Sequence, residues 1–254
     1  MWKKLRVAIL LVILASVGLG TWRSQHAARD WHNTLHIAVF PINGDGSPAT
    51  AARIATLDDN SFKDIETFLS EQAEDYGNKT AMPVRVTLQK PVSSLPPSPP
   101  QGGSALNMII WSLKMRWWAW HQPDGVPRAH TRAFVIYWDS EKTDGAVPDS
   151  HGLSKGMIAV SNVHIARNMQ RTNNVVIAHE ILHTLGATDK YGPSLMPSYP
   201  EGFADPDLQP RFPQKRCELM AGRIPLSDSQ LAMPRTLDEC IIGPLTAREI
   251  GMVP

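Results

Sequence analysis

Hydrophobic and polar positions divide the first two thirds of the chain into alternating strand and helix patterns. Residues 35–40 form a short apolar run that predicts a first strand, ended by Pro41 and by Gly44-Asp45-Gly46. Residues 58–76 carry apolar side chains at spacings of three and four with acidic residues between them, which predicts an amphipathic helix ended by Gly77. The positions expected to face the core are Phe62, Ile65, Phe68, Leu69 and Ala73.

Similar patterns continue beyond this helix, interrupted by a loop. Residues 91–103 are rich in Pro, Ser and Gly and predict a solvated surface loop. Elsewhere the patterns predict strands over 84–88, 133–138 and 156–163, and helices over 105–121 and 173–185. The helix over 105–121 is strongly apolar and carries four tryptophans, which favours a place in the core over the lining of a groove. Its tryptophans are Trp111, Trp117, Trp118 and Trp120.

The order of these elements predicts an α+β fold in which helices pack on a sheet. Residues 33–254 are expected to form one domain with two portions: a sheet-and-helix part over 33–186 and a loop-rich C-terminal part over 187–254. The C-terminal part has few periodic runs. We expect it to wrap over the first part as ordered loops, with a short last helix starting near Thr246.

The first 22 residues have the layout of an export signal. Lys3, Lys4 and Arg6 precede an uncharged, mostly apolar run over 7–22. This run is slightly shorter than the ~20 residues that span a bilayer, yet it offers no clean cleavage site, so a cleaved signal peptide and an N-terminal membrane anchor are both compatible with it. Either alternative predicts an exported protein, periplasmic or otherwise extracytoplasmic, and the anchor would lie over residues 7–22.

Composition excludes few classes of protein. With 43% hydrophobic and 19% charged residues, a chain of 254 residues can bury a core. A formal net charge of +1 gives no electrostatic basis for a nucleic-acid partner. Cys217 and Cys240 are the two cysteines, and in an exported protein they predict one disulfide, with two unpaired buried thiols as the alternative.

The chemistry-bearing residues are concentrated in the predicted helix over 173–185. His179 and His183 are four residues apart, so both imidazoles project from one helix face and can bind the same metal ion. Glu180 lies one position around the helix, where a carboxylate can reach a metal-bound water without being a ligand itself. This placement predicts that Glu180 is a catalytic general base.

A catalytic zinc site needs a third protein ligand and one open position. Gly186 lets the chain leave the helix, in a turn that glycine adopts most cheaply. Asp189, three residues further on, can then fold back towards the metal as a hard oxygen ligand. The pattern predicts one Zn²⁺ per chain, held by His179, His183 and Asp189.

The sequence His179-Glu180-x-x-His183-x-x-Gly186-x-x-Asp189 resembles the extended zinc motif of the metzincin metallopeptidases, in the variant with aspartate as third ligand. The resemblance covers 11 residues. It implies a zincin-like or metzincin-like twisted mixed sheet with packed helices and an active-site helix. It also implies that residues 156–163 form the edge strand along which an extended peptide substrate lies.

The same resemblance implies a methionine turn beneath the metal. Met220, next to Gly222 and close to Cys217, is the preferred candidate, and Met196 is the alternative. Tyr191 is a candidate hydrogen-bond donor to the transition state, with Tyr199 as a second choice.

The function implied is a zinc-dependent metalloendopeptidase that hydrolyses peptide bonds of a peptide or protein substrate by Glu180-assisted attack of water. A non-catalytic envelope protein that keeps the scaffold for partner binding or structural zinc is the main alternative. Hydrolysis of a non-peptide amide is another. The intact Glu180 favours the enzyme, because a purely structural site has no use for that carboxylate.

Overall fold

A computed structural model describes residues 2, 6, 18–20, 23, 25–100, 102, 104–122, 129–139, 147–153 and 156–253. Most of the predicted signal or anchor segment over 1–22 lies outside these residues. Among the residues described, no helix has the length and apolar character needed to cross a bilayer.

A five-stranded mixed sheet forms the centre of the molecule, in the order β2–β1–β3–β5–β4. The strands β1, β2, β3 and β5 are parallel to their neighbours, and only β4 is antiparallel, pairing with β5 at one edge. The predicted mixed sheet with packed helices is confirmed, and its strands are mostly parallel. The strand bounds are Leu35–Asn43 (β1), Val84–Leu88 (β2), Thr131–Trp138 (β3), His151–Leu153 (β4) and Ile158–His164 (β5).

Two expectations about the strands are wrong. The first strand does not end at Pro41 but continues to Asn43. Proline is tolerated at position 41 because its missing N–H would face the side of β2, and β2 has already ended at Leu88. No strand of the sheet therefore needs a hydrogen bond from this residue. The strand predicted over 156–163 corresponds to β5, which lies inside the sheet, and the edge position belongs to β4. Three half-buried residues are too few to leave a periodic pattern, so β4 was not predicted.

From residue 35 onward, the described part of the chain contains five helices: Pro48–Ile54 (α1), Lys63–Asp75 (α2), Ala105–Trp120 (α3), Gln170–Leu185 (α4) and Pro244–Glu249 (α5). The predicted helix over 58–76 begins as a 3₁₀ turn over Asp59–Phe62, capped by the Asp58 carboxylate, and continues as α2. Its five predicted core residues are all buried. The short last helix is confirmed as α5, whereas α1 was not predicted.

The two faces of the sheet bury separate cores. On one face, Ile37 and Val39 pack with side chains of α2, α4 and the C-terminal part. On the other face, Phe40 and Phe134 pack with Met115 and other residues of α3. This division follows from the alternation of side chains along each strand.

The expectation that α3 lies in the core is wrong for most of its length. Only Met115 and Ala119 of this helix are buried, while Trp117 and Trp120 are 66% and 73% exposed. The helix is apolar on nearly all sides, so its pattern gave no indication of which side would face the sheet.

The C-terminal part consists of ordered turns and two small sheets, and the sheets were not predicted. Cys217–Glu218 (β6) pairs in parallel with Cys240–Ile241 (β9), and Ile224–Pro225 (β7) pairs with Leu231–Ala232 (β8). Cys217 and Cys240 are both buried free thiols whose sulfur atoms are 3.1 Å apart. Their proximity is confirmed, and the disulfide itself stays a prediction.

Candidate metal centre

Helix α4 carries the predicted zinc motif between the sheet and the C-terminal part. It begins three residues before the predicted start and ends, as predicted, at Gly186. Gly186 has a φ of 105°, in the left-handed region that a side chain would strain. A side chain there would also collide with the Arg29 guanidinium, whose Nε donates to the Leu185 carbonyl at 2.5 Å. Gly186 therefore turns the chain back towards the helix in a space that only glycine fits.

The three predicted ligands converge on one point. His179 Nε2 and His183 Nε2 are 3.1 Å apart, and each lies 3.2 Å from Asp189 Oδ1. These atoms form a nearly equilateral triangle. Ligands bound tetrahedrally at about 2.0–2.1 Å from zinc are separated by roughly 3.3–3.4 Å, so the triangle is close to the size that such an ion requires.

The outer nitrogens of both imidazoles are fixed by backbone carbonyls. His179 Nδ1 lies 3.0 Å from the Leu219 carbonyl, and His183 Nδ1 lies 2.9 Å from the Ala187 carbonyl. A carbonyl only accepts, so each neutral ring carries its proton on Nδ1 and directs the lone pair of Nε2 inward. Two lone pairs 3.1 Å apart repel unless a cation lies between them, which fits a metal ion. Within the described part of the chain, this is the only group of three such side chains that could hold one.

The electrostatics of Asp189 also suit a ligand. Partial burial alone would raise the pKa of this carboxyl, but His179 and His183, when protonated in the absence of a metal, outweigh it through hydrogen bonds and charge and lower the pKa well below its usual range. Asp189 is therefore ionised and ready to bind a cation at any physiological pH.

An ion pair between the buried Lys190 and the partly exposed Glu249 holds the segment that carries Asp189. Lys190 Nζ donates to Glu249 Oε2 and to the Thr188 carbonyl, both at 2.7 Å. The Glu249 carboxylate in turn accepts the Thr188 N–H at 2.9 Å and the Thr188 hydroxyl at 2.8 Å. Both neighbours of Asp189 are thus tied to α5. This arrangement could not be predicted, because Glu249 is about 60 residues further along the chain.

Glu180 lies beside the triangle, with only 5% of its surface exposed. Burial raises the pKa of its carboxyl, and the charges of His179 and His183 only partly oppose this effect. Its Oε2 has no hydrogen-bond partner among the described residues. A buried, unpaired carboxylate oxygen is costly to keep, which makes it available to a ligand or substrate proton.

The methionine-turn candidates lie in different surroundings. Met220 is fully buried in the 3₁₀ turn Leu219–Ala221, and Gly222 closes this turn with a φ of 67°. The turn contacts the site directly, because the Leu219 carbonyl binds His179 and the Met220 carbonyl accepts the Lys190 N–H at 3.0 Å. Met196 is only half buried, in a tight turn near Gly192. The surroundings favour Met220, and its role stays a prediction.

The two tyrosine candidates also differ. Tyr191 is half buried, and burial together with the charge of Asp189 and a hydrogen bond to it raises the pKa of its hydroxyl. Tyr199 is 51% exposed and stacks under Arg211, with its hydroxyl turned to the Pro206 carbonyl at 3.4 Å. Only Tyr191 is placed to act at the triangle.

The edge strand β4 runs directly against the metal-binding helix. A Cβ added to Gly152, in the middle of this strand, would lie 2.5 Å from His183 Cβ and 2.9 Å from the Glu180 carbonyl oxygen. The strand that borders the site is therefore β4 and not the predicted strand over 156–163. Gly152 is a site residue that sequence reasoning missed.

A small recess adjoins His179 on the side of the 3₁₀ turn. It encloses about 150 Å³. Its wall is largely apolar and includes Val175, Val176, Leu195, Leu219 and Met233, with Tyr191 and Arg223 also lining it. A space of this size beside the triangle can accept one side chain of a bound molecule.

Comparison with known proteins adds no family: no family model matches this chain, and no curated protein does. What the geometry supports is a group of two histidines and one aspartate that could hold a metal ion.

Proposed function

We propose that this protein is a zinc-dependent metalloendopeptidase with a metzincin-like architecture, acting outside the cytoplasm. The observation that carries the proposal is the convergence of His179 Nε2, His183 Nε2 and Asp189 Oδ1 within 3.2 Å of one another. Glu180, buried next to them with an unpaired oxygen, is the second element of a hydrolytic site.

Zinc is the metal that this donor set favours. Two neutral imidazoles and one carboxylate are a common ligand set of catalytic zinc sites, which keep a fourth position open. Magnesium and calcium select oxygen ligands instead. The carbonyls that fix both imidazole Nδ1 atoms are the outer-shell partners that histidine ligands normally have.

When bound, zinc supplies Lewis acidity, which makes a water nucleophilic near neutral pH and polarises a carbonyl. The remaining chemistry belongs to the chain. Glu180 is placed to take a proton from the attacking water and to return it to the leaving amine, and its raised pKa suits both transfers. Tyr191 is placed to donate a hydrogen bond to the oxyanion that develops on the substrate carbonyl.

Strand β4 offers a way to hold an extended peptide. Among the described residues it is an edge strand that pairs with β5 alone, and an edge of this kind can accept another strand. Because Gly152 touches the turn of α4 that carries Glu180 and His183, a peptide paired with β4 would lie beside the triangle. The recess next to His179 would then receive one of its side chains.

The test combines metal content with peptide cleavage, using the full-length chain, Glu180→Gln and the control Glu201→Gln, which alters an exposed carboxylate in the C-terminal part. We expect one zinc per chain in all three proteins. The unaltered chain and Glu201→Gln should both cleave casein or a peptide library. Glu180→Gln should lose at least about 10²-fold in rate, the usual contribution of a general base, while retaining zinc.

Zinc binding with no cleavage by the unaltered chain would favour the non-catalytic scaffold. Cleavage that survives Glu180→Gln would contradict the role of this carboxylate. A chain that binds no zinc would refute the proposal altogether.

A further inference from the structure

The exposed side of α3 carries a continuous apolar stripe. Its members are spaced alternately four and three residues apart, so they align along one side of the helix. Each is between 43% and 73% exposed. We call this set the α3 stripe: Leu106, Ile110, Leu113, Trp117 and Trp120.

The side of α3 opposite the stripe fixes the helix on the sheet. Met115 and Ala119 pack into the core between α3 and the sheet. The indole nitrogens of Trp111 and Trp118 donate to the preceding loop, at 2.9 Å to the Pro97 carbonyl and 3.0 Å to Ser94 Oγ. The α3 stripe is therefore presented outward by a rigid support.

The stripe is large for a surface left in water. From the first to the last residue, 14 positions apart, it extends about 21 Å at 1.5 Å per residue. Ile109 and Met108 flank it and are 56% and 47% exposed. Apolar patches of this kind mark contact sites for proteins or membranes.

The charges and aromatic residues of α3 indicate a membrane. The helix contains no acidic residue, and its charged residues are Lys114 and Arg116. A basic helix with tryptophans on its apolar side is typical of helices that lie in the interface of anionic bilayers. At 16 residues, α3 is too short to cross a bilayer.

The topology places the tryptophan end of the stripe at the end of the sheet where β1 begins. Strands β1 and β3 are parallel, so they begin at the same end of the sheet. There, the His36 N–H donates to His130 Nδ1 at 3.0 Å, and the Arg132 guanidinium donates to the Ala119 carbonyl in the last turn of α3. In the sequence, the basic and apolar residues 3–22 precede β1.

Cationic side chains are also present at that end. Arg23 and Lys79 are exposed and line a broad groove formed with the end of α2 and the C-terminal residues. This groove lies on the face of the sheet opposite α3, so the positive charge beside the stripe is that of Lys114 and Arg116, which anionic head groups would meet there.

We propose that the α3 stripe docks the protein on the surface of an anionic lipid bilayer, with Trp117 and Trp120 inserted among the head groups. This surface is separate from the proposed zinc site, so the inference holds whether or not the protein is a peptidase. A second copy of the chain is the competing occupant, since spacings of four and three also suit helix pairing.

The test uses the full-length chain with an environment-sensitive nitrobenzoxadiazole label on an introduced cysteine. Trp117→Cys and Leu113→Cys report on the stripe. Ser229→Cys, an exposed position in the C-terminal part, is the control. Cys217 and Cys240 are buried and should not react in the folded chain. Vesicles are made of phosphatidylcholine alone or with added phosphatidylglycerol.

We expect the labels at 117 and 113 to shift to shorter emission wavelength with vesicles, more strongly with phosphatidylglycerol, and to be quenched by spin-labelled lipid. The label at 229 should keep the emission it has in water. If the chain sediments with vesicles while both stripe labels stay in water, only the N-terminal segment binds lipid and the proposal fails. If the stripe labels are shielded without vesicles and light scattering gives twice the chain mass, a second copy covers the stripe and the proposal also fails.

Discussion

Replacement of Gly152 by alanine tests how closely β4 approaches the metal-binding helix. The added Cβ would lie 2.5 Å from His183 Cβ and 2.9 Å from the Glu180 carbonyl oxygen, whereas ordinary contacts are 3.4–4 Å. Strand and helix must therefore separate by about 1 Å, because neither neighbouring atom is the end of a flexible side chain.

We expect β4 to be displaced by this substitution and α4 to stay in place. β4 has three residues and pairs on one side only, while α4 is buried between the sheet and the C-terminal part, with Ile181 and Leu182 fully enclosed. Overpacking of this kind costs about 1–3 kcal/mol. We expect Gly152→Ala to lower the free energy of unfolding by that amount while zinc affinity changes only a few-fold. Peptide cleavage should fall much further, because the strand that aligns the substrate is displaced.

Urea unfolding, chelator competition for zinc and the cleavage assay measure these three quantities. Gly192→Ala is the matched control. No atom lies within 4 Å of its added Cβ and its φ is not in the left-handed region, so it should be neutral or stabilising by up to about 1 kcal/mol. Unchanged stability of Gly152→Ala would refute the close approach of β4. Loss of zinc without loss of stability would mean that His183 moves instead of the strand.

Three further predictions concern the segment around Asp189, the contact between α2 and β2, and the C-terminal cysteines. Glu249→Ala should weaken zinc binding about 10–100-fold in chelator competition, since it frees the segment that carries Asp189. Glu66→Gln should destabilise the protein by about 1 kcal/mol at neutral pH. Partial burial would raise the pKa of Glu66, but its bonds to Lys63 and the β2 backbone lower it. The difference from wild type is therefore present above the ordinary carboxyl pKa and vanishes in urea titrations as the pH falls through the lowered one. The Cys217–Cys240 pair should form a disulfide in oxidising buffer, seen by alkylation and mass, worth about 3 kcal/mol for its 24-residue loop.

Each of these predictions has its own control or contrary result. Glu201→Ala removes an exposed carboxylate of the same C-terminal part and should leave zinc affinity unchanged. A Glu66→Gln deficit that persists undiminished in acid would mean that the charge of Glu66 contributes nothing to stability. Two alkylated thiols after prolonged oxidation would establish the alternative of unpaired buried cysteines.

The parts of the fold that were predictable are those with one buried face. In α2, Ile65, Phe68 and Leu69 recur at helical spacing between charged residues, and all are buried. Where the two faces of an element do not differ in polarity, the sequence does not indicate which face is buried. The helix α3 is apolar on every side, so its pattern identified a helix but not the exposed position of Trp117 and Trp120. Pro41 misled for a different reason, because the tolerance of a sheet for proline depends on where the neighbouring strand ends.

In the site, the predictable residues are those related by local geometry. His179 and His183 are one helical turn apart, and Gly186 and Asp189 follow within six residues, so their convergence depends on one helix and one turn. Gly152 could not be found in this way, because its role is to leave space for a helix that lies about 30 residues further along the chain. Contacts of this kind exist only once the sheet has formed.

The C-terminal part positions the candidate site as well as covering it, because its contacts hold each of the three proposed ligands. The turn Leu219–Ala221 holds His179 through the Leu219 carbonyl. Glu218 caps that turn, and its buried carboxylate, whose pKa burial raises, also binds the Thr246 hydroxyl at 2.7 Å in α5. Because α5 also supplies Glu249 to the segment around Asp189, one short helix fixes two ligands that lie in different segments. Metal binding should therefore be coupled to the packing of residues 187–253, and disruption of α5 should release the metal before it unfolds the sheet.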